Sequence, residues 1–185
     1  MNSFEESLDE LHSHLELVGS MWGVWSELNA ASNEKAKMDA LNSFGSFFAT
    51  TMEACLLAVC VGLYRLHDKR RDVLSISRIG ADAFANELAQ TSLPPDVSEL
   101  VGRAEPLVDK VAVLRHKVFA HRDHQLSSDG AFLTAQLRPS DISDLVALTR
   151  AILNEYSMWS AKTTWTPSEH AAAATRDLVN GLLRS

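Results

Sequence analysis

At 185 residues, with 46 % hydrophobic and 22 % charged residues, the chain is long enough for one domain with a sizeable core, and it reads as a single domain over residues 1–185. A formal net charge of −7 excludes a protein that coats nucleic acid non-specifically. Leu and Ala far outnumber Val and Ile and strand-like alternation is almost absent, so the composition predicts an all-α fold of five to six helices.

The first predicted helix runs from about Ser3 to Ala31, with Leu8, Leu11, Leu15, Val18, Trp22, Trp25 and Leu28 at spacings of three and four. Its two histidines, His12 and His14, read as surface residues that face different directions. Asn33 is placed to cap a second helix continuing to Leu66. The stretch Phe44 to Tyr64 is nearly apolar all round and approaches bilayer length. Glu53 in its middle is expensive in lipid, so it reads as the central, most enclosed core helix and no membrane partner is expected. Cys55 and Cys60 within it match neither a zinc knuckle nor a Cys-x-x-Cys pair. They read as reduced core thiols of a cytoplasmic protein, and the acidic N-terminus offers no apolar signal core.

Asp68 to Asp72 reads as a charged turn, and Ser75 or Ser77 as the cap of a third helix through about Gln90. Ser92-Leu93-Pro94-Pro95 is a break. Asp96 reopens the chain and Pro106 is expected in the first turn of a new helix carrying Leu107, Val111, Leu114, Val118 and His121. Ser127 to Gly130 reads as a loop, and Ser140 or Asp141 as the cap of a helix through about Lys162. A last helix starts after Thr166-Pro167, with Ser168-Glu169 at its start. Trp22, Trp25, Trp159 and Trp165 read as packing residues.

Chemistry concentrates between Leu114 and Asp123. Arg115, His116, Lys117, His121, Arg122 and Asp123 crowd into one helix end, and an acidic body surrounds this basic island. Arg115 and His121 lie about 120° apart around a regular helix, so one straight helix does not aim both at one atom. Distortion at the helix end, or a second copy across a two-fold axis, would bring such groups together. The plainer alternative is a helix C-terminus whose basic residues complement its dipole. A metal is not expected: His121 and His124 stand three apart without a glutamate between them, and no third or fourth ligand is fixed. A second basic island spans Tyr64 to Arg71. In it Arg65 and Asp68 are expected to form a structural ion pair, and Lys69, Arg70 and Arg71 are candidate RNA-backbone contacts.

The run Arg115-His116-Lys117-Val118-Phe119-Ala120-His121-Arg122-Asp123 resembles the signature of the HEPN superfamily: an arginine, often a polar residue, and a histidine after a gap of four to six residues. Arg115 and His121 stand at the fixed positions and His116 at the polar one. With Lys117, Ala120 and Asp123 the run is most similar to the branch named after abortive-infection system U, the AbiU-like HEPN proteins. The resemblance implies an up-and-down helical bundle and a homodimer with the motif in its cleft. It also implies a metal-independent endoribonuclease that needs no cofactor and acts on RNA as a toxin or phage-defence effector. His121 would be the general acid or base, Arg115 would bind the scissile phosphate and His116 would contribute a hydrogen bond or share the proton work. Lys117, Arg122 and Asp123 would support them. A nucleotidyltransferase-type antitoxin is the partner class this implies. Where such antitoxins adenylylate a tyrosine two residues after the motif histidine, this chain has Asp123, which departs from that mode of control. The alternative is a catalytically silent HEPN-like module that binds a partner protein or a nucleotide.

Overall fold

The computed structural model describes residues 4–85, 95–115, 133 and 135–184. The fold is all-α, with no strand among the described residues. Among these residues seven helices follow in chain order: α1 (Phe4–Ser32), α2 (Lys35–Asn42), α3 (Gly45–Leu66), α4 (Ile76–Ala85), α5 (Pro95–Leu114), α6 (Pro139–Ala161) and α7 (His170–Leu182). They form two compact units, Met1–Leu15 with Cys60–Thr166, and Glu16–Val59 with Pro167–Ser185.

The first unit takes its core from the expected apolar stripes. Leu8, Leu11 and Leu15 of α1 are buried with Leu63 and Leu66 of α3, Ile79 of α4, Val111 and Leu114 of α5, and Ile142, Leu145, Ile152 and Leu153 of α6. Helices α5 and α6 pack closely against each other, and Lys110 Nζ donates to Asp141 Oδ2 across them at 2.9 Å. Asp141 also accepts the Arg138 N–H at 2.9 Å. Burial pushes the Asp141 carboxyl up, but those two donors and the charges of Lys110 and Arg138 outweigh it, and its pKa is lowered. Asp141 was one of two expected caps for this helix. It acts instead from the third helical position, behind Pro139, which is pre-organised for the first turn. Lys162, left-handed at φ 57°, closes the helix.

Helix α4 meets α6 closely enough for a side chain to be excluded. A Cβ on Gly80 would stand 2.8 Å from the phenol oxygen of the buried Tyr156. The ring cannot swing away in a packed core. Gly80→Ala is therefore expected to destabilise the protein by about 1–2 kcal/mol despite alanine's better helix propensity, and Gly80→Ala/Tyr156→Phe to recover most of it, in urea titrations of the three variants.

In the second unit Leu28, Ala31, Leu41, Phe48 and Val179 form one buried cluster, with Val24, Met52 and Leu182 against it. Trp22 and Trp25 are buried and stacked, with ring centroids 4.8 Å apart and planes 10° apart, a packing arrangement. Glu27 pairs with Arg176 of α7, and Ser168 Oγ accepts the His170 N–H at 3.2 Å.

Three expectations are corrected. The helix expected from Asn33 to Leu66 is broken between Asn42 and Gly45, which adds one helix to those expected over this stretch. Asn42, Ser43 and Gly45 put three weak helix formers within four positions, and the chain turns there through Phe44 N–H to Leu41 O. Helix α3 is not the enclosed helix expected. By length and composition it could cross a membrane, yet only a third of that apolar window is buried, and Phe47 is 62 % exposed. Leu57 and Val61 are exposed too, with the carboxylate of Glu53 among them. Pro106 lies inside α5 and does not start it. Both Pro106 and Gly102 are exposed, so water can serve the Gly102 carbonyl that loses its N–H partner.

Candidate functional site

Of the motif residues, Arg115 is described; His116, Lys117, His121, Arg122 and Asp123 lie outside the described residues. Arg115 stands one residue past the end of α5. Its neighbour Leu114 is fully buried, so the backbone here is fixed by the core while the guanidinium is only partly enclosed. That guanidinium lies over the ring of Tyr64, its carbon 4.3 Å from the ring centroid, well within cation–π range. Tyr64 is held the same way, next to the fully buried Leu63 in the last turns of α3. Among the described residues no carboxylate pairs with Arg115, so its charge and its fork of N–H donors are not taken up by an acid.

Several other basic groups of this unit are paired with acids. Lys69 Nζ donates to Glu105 Oε1 at 2.7 Å, and both side chains are exposed. That hydrogen bond and the carboxylate charge raise the pKa of Lys69 and lower that of Glu105. Arg70 Nε reaches Asp68 Oδ2 at 3.2 Å. Of the three candidate RNA contacts, Arg71 alone has no acid partner among the described residues, and its carbonyl accepts from Arg78 Nη1 at 2.6 Å.

The expected Arg65–Asp68 pair does not form. Helix α3 ends at Leu66, so Asp68 no longer follows helical geometry. Its buried carboxylate turns instead to the Arg70 N–H, at 2.9 Å, in an Asx-turn closed by the Arg70 side chain. Arg65 Nη2 lies 3.8 Å from Glu10 Oε1 of α1, a loose and exposed pair worth little.

Two histidines are built into this unit in one pattern. His67 Nε2 lies 2.8 Å from Thr149 Oγ1, and that hydroxyl donates to the Leu145 carbonyl. His12 Nε2 lies 2.8 Å from Ser157 Oγ, which donates to the Leu153 carbonyl. Each hydroxyl has spent its one proton on α6's own backbone, so each imidazole must be the donor at Nε2 and carry a bare Nδ1. His12 Nδ1 is buried with no partner among the described residues. Burial lowers the pKa of His12, although Asp9 raises it, and burial pushes His67 down to about 4. Both rings are neutral anchors for α6.

His12 is buried, not the surface residue expected. Its place four residues after Leu8 and three before Leu15, on the apolar stripe, is the signal that marks it. The ring of Trp165 lies 5.2 Å from it, and Asn154 holds the Trp165 backbone from both sides. No group of three metal-ligating side chains occurs among the described residues.

The second unit has an apolar groove of about 710 Å³ lined by Met21, Phe47, Thr51, Ala54, Cys55 and Ala58. Burial raises the pKa of the Cys55 thiol, which disfavours the thiolate a nucleophile needs, and no lining residue is a base. Cys60 is more deeply buried, its thiol pushed up to about 12.

Arg115, beside Tyr64 and without an acid partner among the described residues, is the described end of the Arg115–Asp123 run. No curated protein and no solved structure matches the sequence. The family model HEPN AbiU2 matches residues 1–180, nearly the whole length of the chain and all of the Arg115–Asp123 run. The chain belongs to the AbiU2 family of HEPN proteins.

Proposed function

We propose that the protein is a metal-independent endoribonuclease of the HEPN type, acting as a toxin or abortive-infection effector. Arg115 and His121 are its working pair, brought together with those of a second copy. The observation that carries the reading is the Arg115–His121 spacing inside a chain of this family, supported by an Arg115 guanidinium that no acid neutralises among the described residues.

The chemistry needs little beyond these groups. RNA brings its own nucleophile, the 2′-hydroxyl. His121 takes its proton, the 2′-oxygen attacks phosphorus, and the P–O5′ bond breaks. The 5′-oxygen leaves with a proton supplied by His116 or by the partner copy's imidazolium, and a 2′,3′-cyclic phosphate remains. Arg115 faces the two non-bridging oxygens with paired N–H donors as their charge grows. Lys117, Arg122 and, more distantly, Arg71 add positive charge along the strand, and Asp123 orients an imidazole.

The deciding experiment is incubation of a mixed RNA pool with purified protein in EDTA, beside an Arg115→Ala/His121→Ala variant prepared identically. Cleavage by the wild type alone, leaving 2′,3′-cyclic phosphate ends, is the expected result. Equal cleavage by both preparations would overturn the assignment of the site. No cleavage by either would favour the silent binding module.

A further inference from the structure

We propose that Tyr64 is the positioning residue for Arg115: its ring face holds the guanidinium ready for a phosphate without consuming the donors that bind it. The proposal rests on the reading of Arg115 as the phosphate-binding group and adds a residue outside the motif, on a different helix.

The argument begins with what an arginine at an anion site needs. The side chain is long and loses substantial rotamer freedom when it is fixed. A carboxylate is the usual way to fix it, as Asp68 and Asp82 show for Arg70 and Arg78 in this same unit. A carboxylate, however, cancels the charge and occupies the fork that would otherwise meet phosphate oxygens. An aromatic face attracts the cation through its quadrupole and leaves net charge in place. Arg115 has the second kind of support, at 4.3 Å from the Tyr64 ring centroid.

The support is also rigid. Leu63 precedes Tyr64 and Leu114 precedes Arg115, and both leucines are fully buried. The two backbones that carry the pair are thus fixed by the core, and the ring is a stationary platform. Position matters for such a group, since a displacement of about 1 Å at a reacting centre can cost about 100-fold in rate.

The test uses Tyr64→Leu and Tyr64→Phe, each in the wild-type and the Arg115→Ala chain. It reads RNA cleavage in EDTA and the Kd for a 2′-fluoro RNA oligonucleotide, which binds but lacks the nucleophile. Thermal unfolding of each variant accompanies them. Tyr64→Leu is expected to weaken binding about tenfold, equivalent to about 1.4 kcal/mol, and to lower cleavage at least as much. Tyr64→Phe keeps the ring face and is expected to stay within about twofold of wild type in both. In the Arg115→Ala chain Tyr64→Leu is expected to change nothing further, because the group it positions is gone.

Wild-type behaviour in Tyr64→Leu, equal losses in the Leu and Phe variants, or additive losses in the Arg115→Ala chain would each overturn the role of Tyr64 while leaving the nuclease reading intact. If the wild type binds the oligonucleotide but cleaves no RNA, the nuclease reading falls and Tyr64 is judged on Kd alone. If it neither binds nor cleaves, both fall together.

Discussion

Replacing His121 with alanine is expected to slow RNA cleavage by roughly 10²- to 10⁴-fold, the range for loss of a positioned general acid or base. Arg115→Ala is expected to cost roughly 10²- to 10³-fold, as when a donor to a developing oxyanion is removed. The two losses should not multiply. A phosphate that Arg115 no longer holds cannot use His121 well, so the double variant should fall close to the worse single one. Arg115→Lys should recover only part of the activity, since an ammonium keeps the charge but not the planar fork. Single-turnover cleavage rates measured with excess protein give all four values. Full activity in His121→Ala would end the assignment of proton transfer to that residue. Full activity in Arg115→Ala would do the same for phosphate binding.

The second large effect concerns pH and the fold itself. His67 titrates near 4 in the folded protein and near 6.5 in an unfolded chain. A group whose folded pKa is lowered leaves the unfolded state binding more protons throughout the interval between the two values. Its full contribution is present above pH 6.5 and is lost as pH falls towards 4. By pH 5 this one residue should remove about 2 kcal/mol of stability, close to a seventh to two-fifths of what an ordinary domain has. His12, also lowered by burial, acts with the same sign. Urea midpoints measured at pH 7.5 and pH 5, above the range where most carboxylates titrate, should show the drop. His67→Gln, which can still donate to Thr149 but does not titrate, should flatten much of it. An unchanged midpoint between the two pH values would contradict neutral, enclosed imidazoles at these positions.

The parts of the fold that the sequence makes legible are those written in local spacing. The Leu8, Leu11, Leu15 series, the Val111–Leu114 face of α5, the cap at Ser75 (whose Oγ accepts the Arg78 N–H at 3.3 Å) and the start of α7 after Pro167 all follow from residues a few positions apart. What escapes is set by partners distant in the chain. His12 meets Ser157 across 145 positions and His67 meets Thr149 across 82, and no periodicity reports such pairs. Arg65 and Asp68 do not pair with each other for a related reason: helical spacing joins them only if the helix continues, and it stops two residues before Asp68. Pro106 misled because a proline that merely faces solvent reads like one that begins a helix. At the candidate site the motif was legible as a string of residue types, while Tyr64, the group that holds its arginine, was visible only as the aromatic at the head of a basic run.

The clamp between Lys110 and Asp141 has a bearing on how this protein can change over evolutionary time. It fixes α5 near its end and α6 at its beginning, and the packed faces of Val111, Leu114, Ile142 and Leu145 reinforce it. The end of α5 and the start of α6 are thereby held to one another as well as to the core. Ala135 and Leu137, just ahead of α6, are buried as well, so substitutions there should be tolerated poorly. Across related proteins, change should therefore fall on the exposed positions of these helices, while the buried positions that hold Arg115 in place stay as they are.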